Sequence, residues 1–228
     1  MAKNLNERQS KGDKRLKIAI ILNVLIGFII IIIIGEIIFG VLFKGIYVVQ
    51  HSMYPTLNGA TFDDKHGGDY VYVSPTAKPT YGDIVVVIRN DRSAIIKRAV
   101  AFGGDKVKIV DGDLYVMYAG EDEFTLIEES YVGEDRKTDP GKNNYPYSKN
   151  GVADEWHLVE ENCMFLLGDN RDASVDSREN GDFALDSLYG VVTDWSIKYK
   201  DTISKFHIFF KYSLPEFFGV HVKVEGLE

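Results

Sequence analysis

The 228-residue sequence has a single cysteine, Cys163, and only six prolines. One thiol excludes an intrachain disulfide and any zinc site that needs two cysteines. Because the next four residues are apolar, we predict that Cys163 is a small buried residue of the core and not a nucleophile. The prolines and the 21 glycines form no linker-like tract, and 45% hydrophobic residues are enough for a packed core.

The chain is also short of positive charge, with 26 basic residues against 34 acidic ones and a net charge of −8. Residues 1–17 alone carry a net charge of +4, so the remainder carries −12. A domain that binds nucleic acid needs a basic face for the phosphates. The charge distribution therefore predicts that nucleic acid is not a partner.

Residues 18–43 form one long apolar run, with a single carboxylate at Glu36 and no lysine or arginine. About 20 apolar residues cross a bilayer as a helix, whereas the apolar part of a cleaved signal peptide has roughly 7–15 and ends at a small-residue site. We therefore predict an uncleaved transmembrane anchor in the cell membrane. Since basic flanks remain in the cytoplasm, residues 1–17 form a cytoplasmic tail and residues 44–228 an extracellular domain.

The sequence pattern after residue 43 predicts a mainly β fold of antiparallel sheets. Short runs rich in β-branched residues alternate with turn signals such as Gly82-Asp83 and Gly103-Gly104. No 12-residue window after the anchor has a convincing helical period. The predicted strands are residues 70–73, 84–88, 94–100, 106–110, 114–118, 164–167, 190–192 and 195–199.

Two further segments are interpreted from their composition. Residues 120–155 are polar and centre on Asp139-Pro140-Gly141, which is typical of a surface insertion. The C-terminal stretches 206–210 and 217–220 are rich in phenylalanine. We interpret them as a closing strand, with a patch on the membrane interface as the alternative.

Ser52, which lies shortly after the anchor, is a candidate nucleophile. A serine hydroxyl is a weak nucleophile and needs a base to take its proton. His51 is adjacent in sequence, but neighbouring side chains of an extended segment point to opposite faces. The other histidines stand in no triad motif, so a Ser-His-Asp site has little support.

A lysine can serve as the base if burial lowers its pKa, which is ~10.4 in free lysine. Lys97 fits this requirement because apolar residues precede and follow it in the predicted strand 94–100. Lysine is rarely buried without a partner or a function. The alternative is an edge-strand lysine that prevents pairing between molecules.

The acidic residues near the end of the domain invite a calcium interpretation. An EF-hand-like loop that starts at Asp172 needs glycine at its sixth position and glutamate at its twelfth. The sequence has Ser177 and Phe183 at those positions. We therefore predict no metal site, and nothing in the sequence indicates a cofactor.

Four segments, taken in order, resemble the sequence boxes of bacterial type I signal peptidases. They are SMYPTL at 52–57, YGDIVV at 81–86, IKRAVAFGGD at 96–105 and GDNRDASVDSR at 168–178. Each box alone is a weak signal, but four boxes in the right order with the right spacing are a strong one. Together with the single anchor they resemble the short form of the family in Gram-positive bacteria, over roughly residues 12–200.

The resemblance implies a Ser–Lys dyad in which Ser52 is the nucleophile and Lys97 the general base. Ser174 would hydrogen-bond the Lys97 amine and orient it, and the main-chain N–H of Ser52 would stabilise the oxyanion. The resemblance also implies two supporting ion pairs, Asp176 with Arg178 and Arg98 with Asp169. It further implies a shallow apolar substrate pocket formed by Met53, Leu57 and Ile96.

Gln50 departs from the resemblance, because some family members have a serine or threonine there whose hydroxyl completes the oxyanion hole. The amide of Gln50 can donate a hydrogen bond instead. We hypothesise that it does so beside the Ser52 N–H. The alternative is a solvated Gln50, with the second donor supplied from elsewhere.

The resemblance implies a membrane-bound serine endopeptidase that cleaves signal peptides from exported preproteins after small residues, in an A-x-A pattern. Its partners would be those signal peptides, the lipid bilayer and the secretion translocon. Two alternatives stay open. One is a narrow-spectrum peptidase for a single exported substrate such as a pilin, and the other is a catalytically silent assembly factor, which would not need a mid-strand lysine.

Overall fold

A computed structural model describes residues 2–64, 66–133, 138 and 156–217. The chain divides into two compact units, Met1–Phe43 and Lys44–Glu228. The first unit contains helix α1, Ala2–Leu42. Its part Leu16–Leu42 has a mean hydropathy of 3.2 and is long and apolar enough to span a membrane, so the predicted N-terminal apolar helix is confirmed.

The second unit is built from antiparallel sheets, which confirms the mainly β prediction. The large sheet has the strand order β1-β2-β11-β3-β4-β9-β10 and the small one β7-β6-β5-β8. The strands are β1 Lys44–Tyr47, β2 Tyr70–Ser74, β3 Ile84–Ile88, β4 Ala94–Phe102, β5 Lys106–Val110, β6 Asp113–Met117, β7 Thr125–Leu126, β8 His157–Leu158, β9 Cys163–Leu167, β10 Phe183–Ala184 and β11 Leu188–Val192.

Strand β3 is buried on both faces, which explains its unbroken apolar run. Ile84 and Val86 belong to an apolar cluster that includes Met53 and Leu57, whereas Val85 lies in the cluster on the other face. A third cluster joins β4 and β9 of the large sheet to β5 and β6 of the small one. Each fully buried aliphatic side chain contributes about 1.5–3 kcal/mol, so these clusters fix β3 and β4 firmly in place.

Residues 194–217 are helical where the sequence predicted strands. The helices after α1 are α2 Ser177–Asn180, α3 Asp194–Lys198, α4 Lys200–Ile208 and α5 Leu214–Phe217, with a π-helical turn at Phe209–Ser213. The predicted strand 195–199 and the predicted closing strand at 206–210 are therefore wrong. Trp195 and Ile197 alternate with polar residues as in a strand, yet it is Ser196 that is fully buried.

The helices cover the part of β2 that β11 leaves unpaired, by accepting hydrogen bonds from its main chain. The Tyr70 N–H donates to Ser204 Oγ at 2.8 Å, and the Tyr72 N–H donates to Ser196 Oγ at 3.1 Å. A buried main-chain N–H needs such a partner, and a covered strand edge cannot pair with other molecules. Two buried serines therefore position the helices, and a search for hydrophobic periodicity cannot detect them.

Part of the predicted insertion 120–155 is described, and that part is held against the domain. Thr138 is 1% exposed, and its N–H donates to the Gly112 carbonyl at 2.9 Å. Residues 134–137 and 139–155 lie outside the described residues, as do residues 218–220 of the predicted C-terminal stretch. At Thr138 the segment is thus not the solvated loop that its composition indicates.

Cys163 begins β9 and is half-buried. Burial raises the pKa of its thiol. A raised pKa keeps the thiol protonated at neutral pH, whereas a nucleophilic cysteine needs a lowered one. The sulfur is therefore poorly suited to catalysis.

Candidate active site

Ser52 lies in a tight turn that follows β1. The Gln50 N–H donates to the Ala60 carbonyl at 3.0 Å, and Gln50 has a φ of 64°. The two sides of the turn can approach so closely because residue 59 is Gly59, where a Cβ would collide with the Gln50 carbonyl. The turn holds Ser52 half-buried in front of β4.

Lys97 contacts the Ser52 hydroxyl directly. Its Nζ donates to Ser52 Oγ at 2.8 Å and to the Ile96 carbonyl at 2.9 Å. Lys97 stands in the middle of β4, opposite Val85 of β3, and is 4% exposed. The nucleophile and the base that the resemblance implies are thus in hydrogen-bonding contact.

Burial lowers the pKa of Lys97 from its usual 10.5 to about 8. The negative charges of Asp176 and Asp169 oppose this effect and limit the shift. About a tenth of the molecules then have a neutral amine at pH 7, and about half at pH 8. A neutral amine can accept a proton, which a solvated lysine of ordinary pKa cannot do at these pH values.

Ser174 lies near the dyad without a hydrogen bond to Lys97. Its buried Oγ makes no hydrogen bond of normal geometry with any residue that the structure describes. It lies against Gly168, where a Cβ would collide with both Ser174 Oγ and the Ser52 carbonyl. The Lys97 amine is hydrogen-bonded to the Ile96 main-chain carbonyl and to Ser52 Oγ.

Both implied ion pairs are present, and they have different effects. Arg98 joins β4 to the loop of residues 168–178 by two hydrogen bonds to Asp169, from Nε at 2.8 Å and from Nη2 at 2.6 Å. Arg178 and Asp176 belong to the same loop, and Asp176 also accepts a main-chain N–H of the loop at 3.0 Å. The second pair therefore stabilises the 168–178 loop internally.

A cleft of about 440 Å³ opens at Ser52. Gln50 and Ile96 line it, but Met53 and Leu57 do not, since they are 1% and 0% exposed and pack in the core. Of the three predicted pocket residues only Ile96 lines the cleft, because the other two lie one helical turn apart and both face inward. The remaining apolar lining includes Ile46, Val48, Val49, Val86, Ala94 and Ile95.

Comparison with known proteins identifies the family. The family model described as signal peptidase, peptidase S26 matches residues 21–195, a stretch that contains Ser52, Lys97 and the 168–178 loop. The chain belongs to this family. The predicted resemblance to bacterial type I signal peptidases is therefore confirmed.

Three signal peptidases show the extent of the similarity. Signal peptidase I of Bacillus licheniformis is 28% identical over 66% of this chain and 74% of its own length. Signal peptidase I of Rickettsia typhi is 34% identical over 45% of this chain and 46% of its own, so this chain matches less than half of that relative. A crystal structure of a signal peptidase I from Enterococcus faecalis has 25% identity and a TM-score of 0.39, covering 51% of this chain and 98% of that one.

Asn170 is a residue of the candidate site that the sequence did not single out. Its N–H donates to the Ser52 carbonyl at 3.0 Å, and its Nδ2 donates to the His51 carbonyl at 2.9 Å. The side chain and the main chain of Asn170 thus hold the Ser52 turn against the 168–178 loop. The sequence feature that could have indicated Asn170 is its place in the fourth box, which is also the most specific of the four boxes.

The polar segment before residue 134 also supports the candidate site. Glu129 forms two hydrogen bonds with the Arg171 guanidinium of the 168–178 loop, and the two side chains are 11% and 0% exposed. The Tyr131 ring lies 3.9 Å from the Arg98 guanidinium carbon. Composition could not reveal these contacts, because a polar segment of this kind is usually solvated.

Gly168→Ala is expected to lower kcat by about 10²-fold, since the added Cβ collides with Ser174 Oγ and the Ser52 carbonyl, and small displacements of reacting groups have effects of this size. Gly35→Ala in α1 is the matched control, because its Cβ meets no atom within 4 Å and its φ is not positive. Steady-state kinetics of both variants are the measurement. A kcat for Gly168→Ala equal to that of the control would contradict the described packing.

Proposed function

We propose that this chain is a membrane-anchored serine endopeptidase that removes signal peptides from exported preproteins by a Ser52–Lys97 dyad. The proposal is carried by the 2.8 Å contact between Lys97 Nζ and Ser52 Oγ, at a lysine whose pKa burial lowers to about 8. A buried lysine without an ion-pair partner destabilises the fold. Membership in the signal peptidase family supports a catalytic reason for this arrangement.

In the proposed mechanism, neutral Lys97 accepts the Ser52 proton while Oγ attacks the carbonyl carbon of the scissile bond. The carbonyl oxygen becomes an oxyanion, stabilised by the Ser52 N–H. The Lys97 ammonium then protonates the leaving amine as the C–N bond breaks, which leaves an ester on Ser52. Lys97 next deprotonates a water molecule that hydrolyses the ester, and the released proton returns to Ser52 Oγ. Ser174 is proposed to orient the Lys97 amine when it carries the extra proton.

We further propose cleavage after small residues in an A-x-A pattern. The cleft walls come from β4 and from the segment after β1, on either side of Ser52. A peptide that lies extended in this cleft presents every second side chain to the same wall. The apolar lining at Ile96 and its neighbours supports a preference for apolar side chains at this wall.

The proposed topology places residues 18–43 in the cell membrane, residues 1–17 in the cytoplasm and residues 44–228 outside. The apolar helix Leu16–Leu42 and the net charge of +4 on residues 1–17 support this orientation. A signal peptide leaving the translocon would enter the same bilayer, so confinement would raise the effective concentration of substrate at the enzyme.

Cleavage of a preprotein tests the proposed function. The full chain in detergent is incubated with several preproteins that carry an A-x-A site, and with versions in which the last alanine is replaced by a bulky residue; Ser52→Ala is the control. We expect cleavage after A-x-A by the parent chain alone. Cleavage of a single exported substrate would favour the narrow-spectrum peptidase, and no cleavage at all would favour the silent assembly factor.

Gln50→Ala is expected to lower kcat by ~10²–10³ with little change in KM, because one lost oxyanion donor has an effect of this size and acts mainly in the transition state. The support is the position of Gln50, which is exposed and lines the cleft beside Ser52. Gln50→Asn retains an amide and tolerates a positive φ, so it should keep more activity. A kcat for Gln50→Ala within about threefold of the parent would remove Gln50 from the site.

A further inference from the structure

The cleft that opens at Ser52 continues along β4 towards the start of that strand. Its lining runs from Lys97 back to Ala94 and on to Ser93, in the turn between β3 and β4. Four residues of an extended chain span roughly 13 Å. A peptide with its scissile bond at Ser52 therefore has room for about four further residues along this part of the cleft.

The described strands leave this part of β4 open on one side. Strand β3 pairs with β4 from Ala94 to Arg98, whereas β9 pairs with it only from Arg98 to Phe102. An extended peptide can add to a strand edge that has no neighbour. In this arrangement the substrate residues before the scissile bond follow β4 from Ser52 towards Ser93.

A cation lies at the far end of the cleft. Arg89 lines the cleft beside Ser93, and its N–H donates to the Ser93 carbonyl at 2.9 Å. In the part of the lining that the structure describes, Arg89 and Lys97 are the only charged side chains. Burial is the main cause of the lowered pKa of Lys97, and the positive charge of Arg89 adds to it, so the two cations are close enough to interact.

The Arg89 guanidinium is held only weakly by its own chain. Its Nη2 lies 3.9 Å from Asp91 Oδ2, and the two side chains are 39% and 58% exposed. An exposed pair of this kind contributes little, because solvent screens it. A carboxylate of a bound peptide can therefore compete with Asp91, and it can form the bidentate contact that a guanidinium favours.

We propose that Arg89 is a specificity-determining residue that binds an acidic side chain of the substrate about five residues before the scissile bond, an inference that rests on the proposed function. The substrate residue at Ser52 is the first before the bond, and four more reach Ser93 and Arg89. Residues 18–228 carry a net charge of −12, so long-range electrostatics disfavour an acidic substrate. A preference for a carboxylate at this position therefore needs the local contact with Arg89.

Cleavage of matched A-x-A peptides by the full chain in detergent tests this inference. The peptides carry Glu, Gln or Lys at the fourth, fifth or sixth position before the scissile bond, or at the third position after it. Near the fifth position we expect kcat/KM for the Glu peptide to exceed that for the Gln peptide by about three- to tenfold, with the Lys peptide the poorest. The preference should fall in high salt and be absent for the peptides altered after the bond.

Variants of the turn between β3 and β4 show whether Arg89 causes the preference. Arg89→Gln should bring the ratio of kcat/KM for the Glu and Gln peptides to about one, and Arg89→Glu should make the Lys peptide the best substrate. Asp91→Asn removes the competing carboxylate and should raise the ratio. Because each ratio compares two peptides on the same variant, a general loss of activity does not change it.

Arg92→Asn is the matched control. It removes an arginine from the same turn that does not line the cleft, and asparagine tolerates the φ of 66° at this position. Its ratio should equal that of the parent chain.

The outcomes separate this inference from the proposed function. Equal kcat/KM of the parent chain for the Glu and Gln peptides would overturn the role of Arg89 and leave the peptidase intact. A Glu preference that persists in Arg89→Gln, or that Arg92→Asn abolishes to the same extent, would assign it to the overall charge and overturn the inference as well. No cleavage of any peptide by the parent chain would contradict the proposed function and the inference together.

Discussion

Lys97→Met is expected to abolish cleavage while making the domain more stable. Methionine has a similar length but cannot accept a proton, so Ser52 loses its base, and loss of one member of such a catalytic unit lowers kcat by ~10⁴-fold or more. A loss of activity together with a gain of stability cannot be explained by unfolding. The measurements are kcat on an A-x-A preprotein and the free energy of unfolding of the same variant.

The stability gain follows from the lowered pKa. In the unfolded chain Lys97 titrates at 10.5 and in the folded chain at about 8, so folding disfavours the charged amine. The destabilisation is complete below pH 8, falls as the pH rises from 8 to 10.5, and is absent above 10.5. It amounts to about 3 kcal/mol at pH 7. Lys97→Met should therefore raise the free energy of unfolding by up to this amount at pH 7, and by little at pH 10.5.

Ser52→Ala should be as inactive as Lys97→Met without the gain in stability. The double variant should be no worse than either single variant, because residues that act as one unit have non-additive effects. Appreciable turnover by Lys97→Met would contradict the dyad. A kcat of the double variant far below that of both single variants would contradict it too.

Asp169→Asn is expected to destabilise the domain by about 3–5 kcal/mol, because it leaves the Arg98 guanidinium charged and buried without its partner. The side chains of Arg98 and Asp169 are 11% and 0% exposed. The matched control is Asp91→Asn, which breaks an exposed pair with Arg89 at 3.9 Å, where the side chains are 39% and 58% exposed. The control should leave the free energy of unfolding unchanged, since solvent screens such a pair.

Denaturant unfolding of the two variants measures the difference. A double variant, Arg98→Met/Asp169→Leu, removes both charges and should be more stable than Asp169→Asn, because no unpaired charge remains. Its activity should still be low, since β4 loses its connection to the 168–178 loop. Equal stability of Asp169→Asn and Asp91→Asn would show that the buried pair does not hold the site together.

Of the proposed dyad, only Lys97 could be singled out from the sequence without the resemblance, because it violates a local rule. Lys97 sits in an apolar strand, where lysine destabilises, and such conflicts concentrate at functional sites. The strands around Lys97 could be predicted from runs of β-branched residues between turn signals, because these patterns depend only on the local sequence. Ser52 alone carried no such signal, and only its place in the order of four boxes made it specific.

The contacts that hold the site could not be predicted, because they depend on tertiary packing. Glu129 and Tyr131 lie in a polar segment and still meet two arginines of the site. Ser196 and Ser204 determine where the last helices lie, through hydrogen bonds to β2 that no hydrophobic pattern encodes. Met53 was expected in the substrate pocket, but a turn with two inward-facing apolar residues buries it.

The pH dependence of kcat/KM tests the central claim, that neutral Lys97 is the base, most directly. Only the neutral amine is active, so kcat/KM should rise about tenfold per pH unit below the Lys97 pKa of about 8 and level off above it. With a histidine base, the rise of kcat/KM with pH would be centred near pH ~6.5. We expect the rise to be centred near pH 8 and to stay there in the His51→Ala variant. A rise centred near pH 6.5, or one that is lost in His51→Ala, would contradict Lys97 as the base.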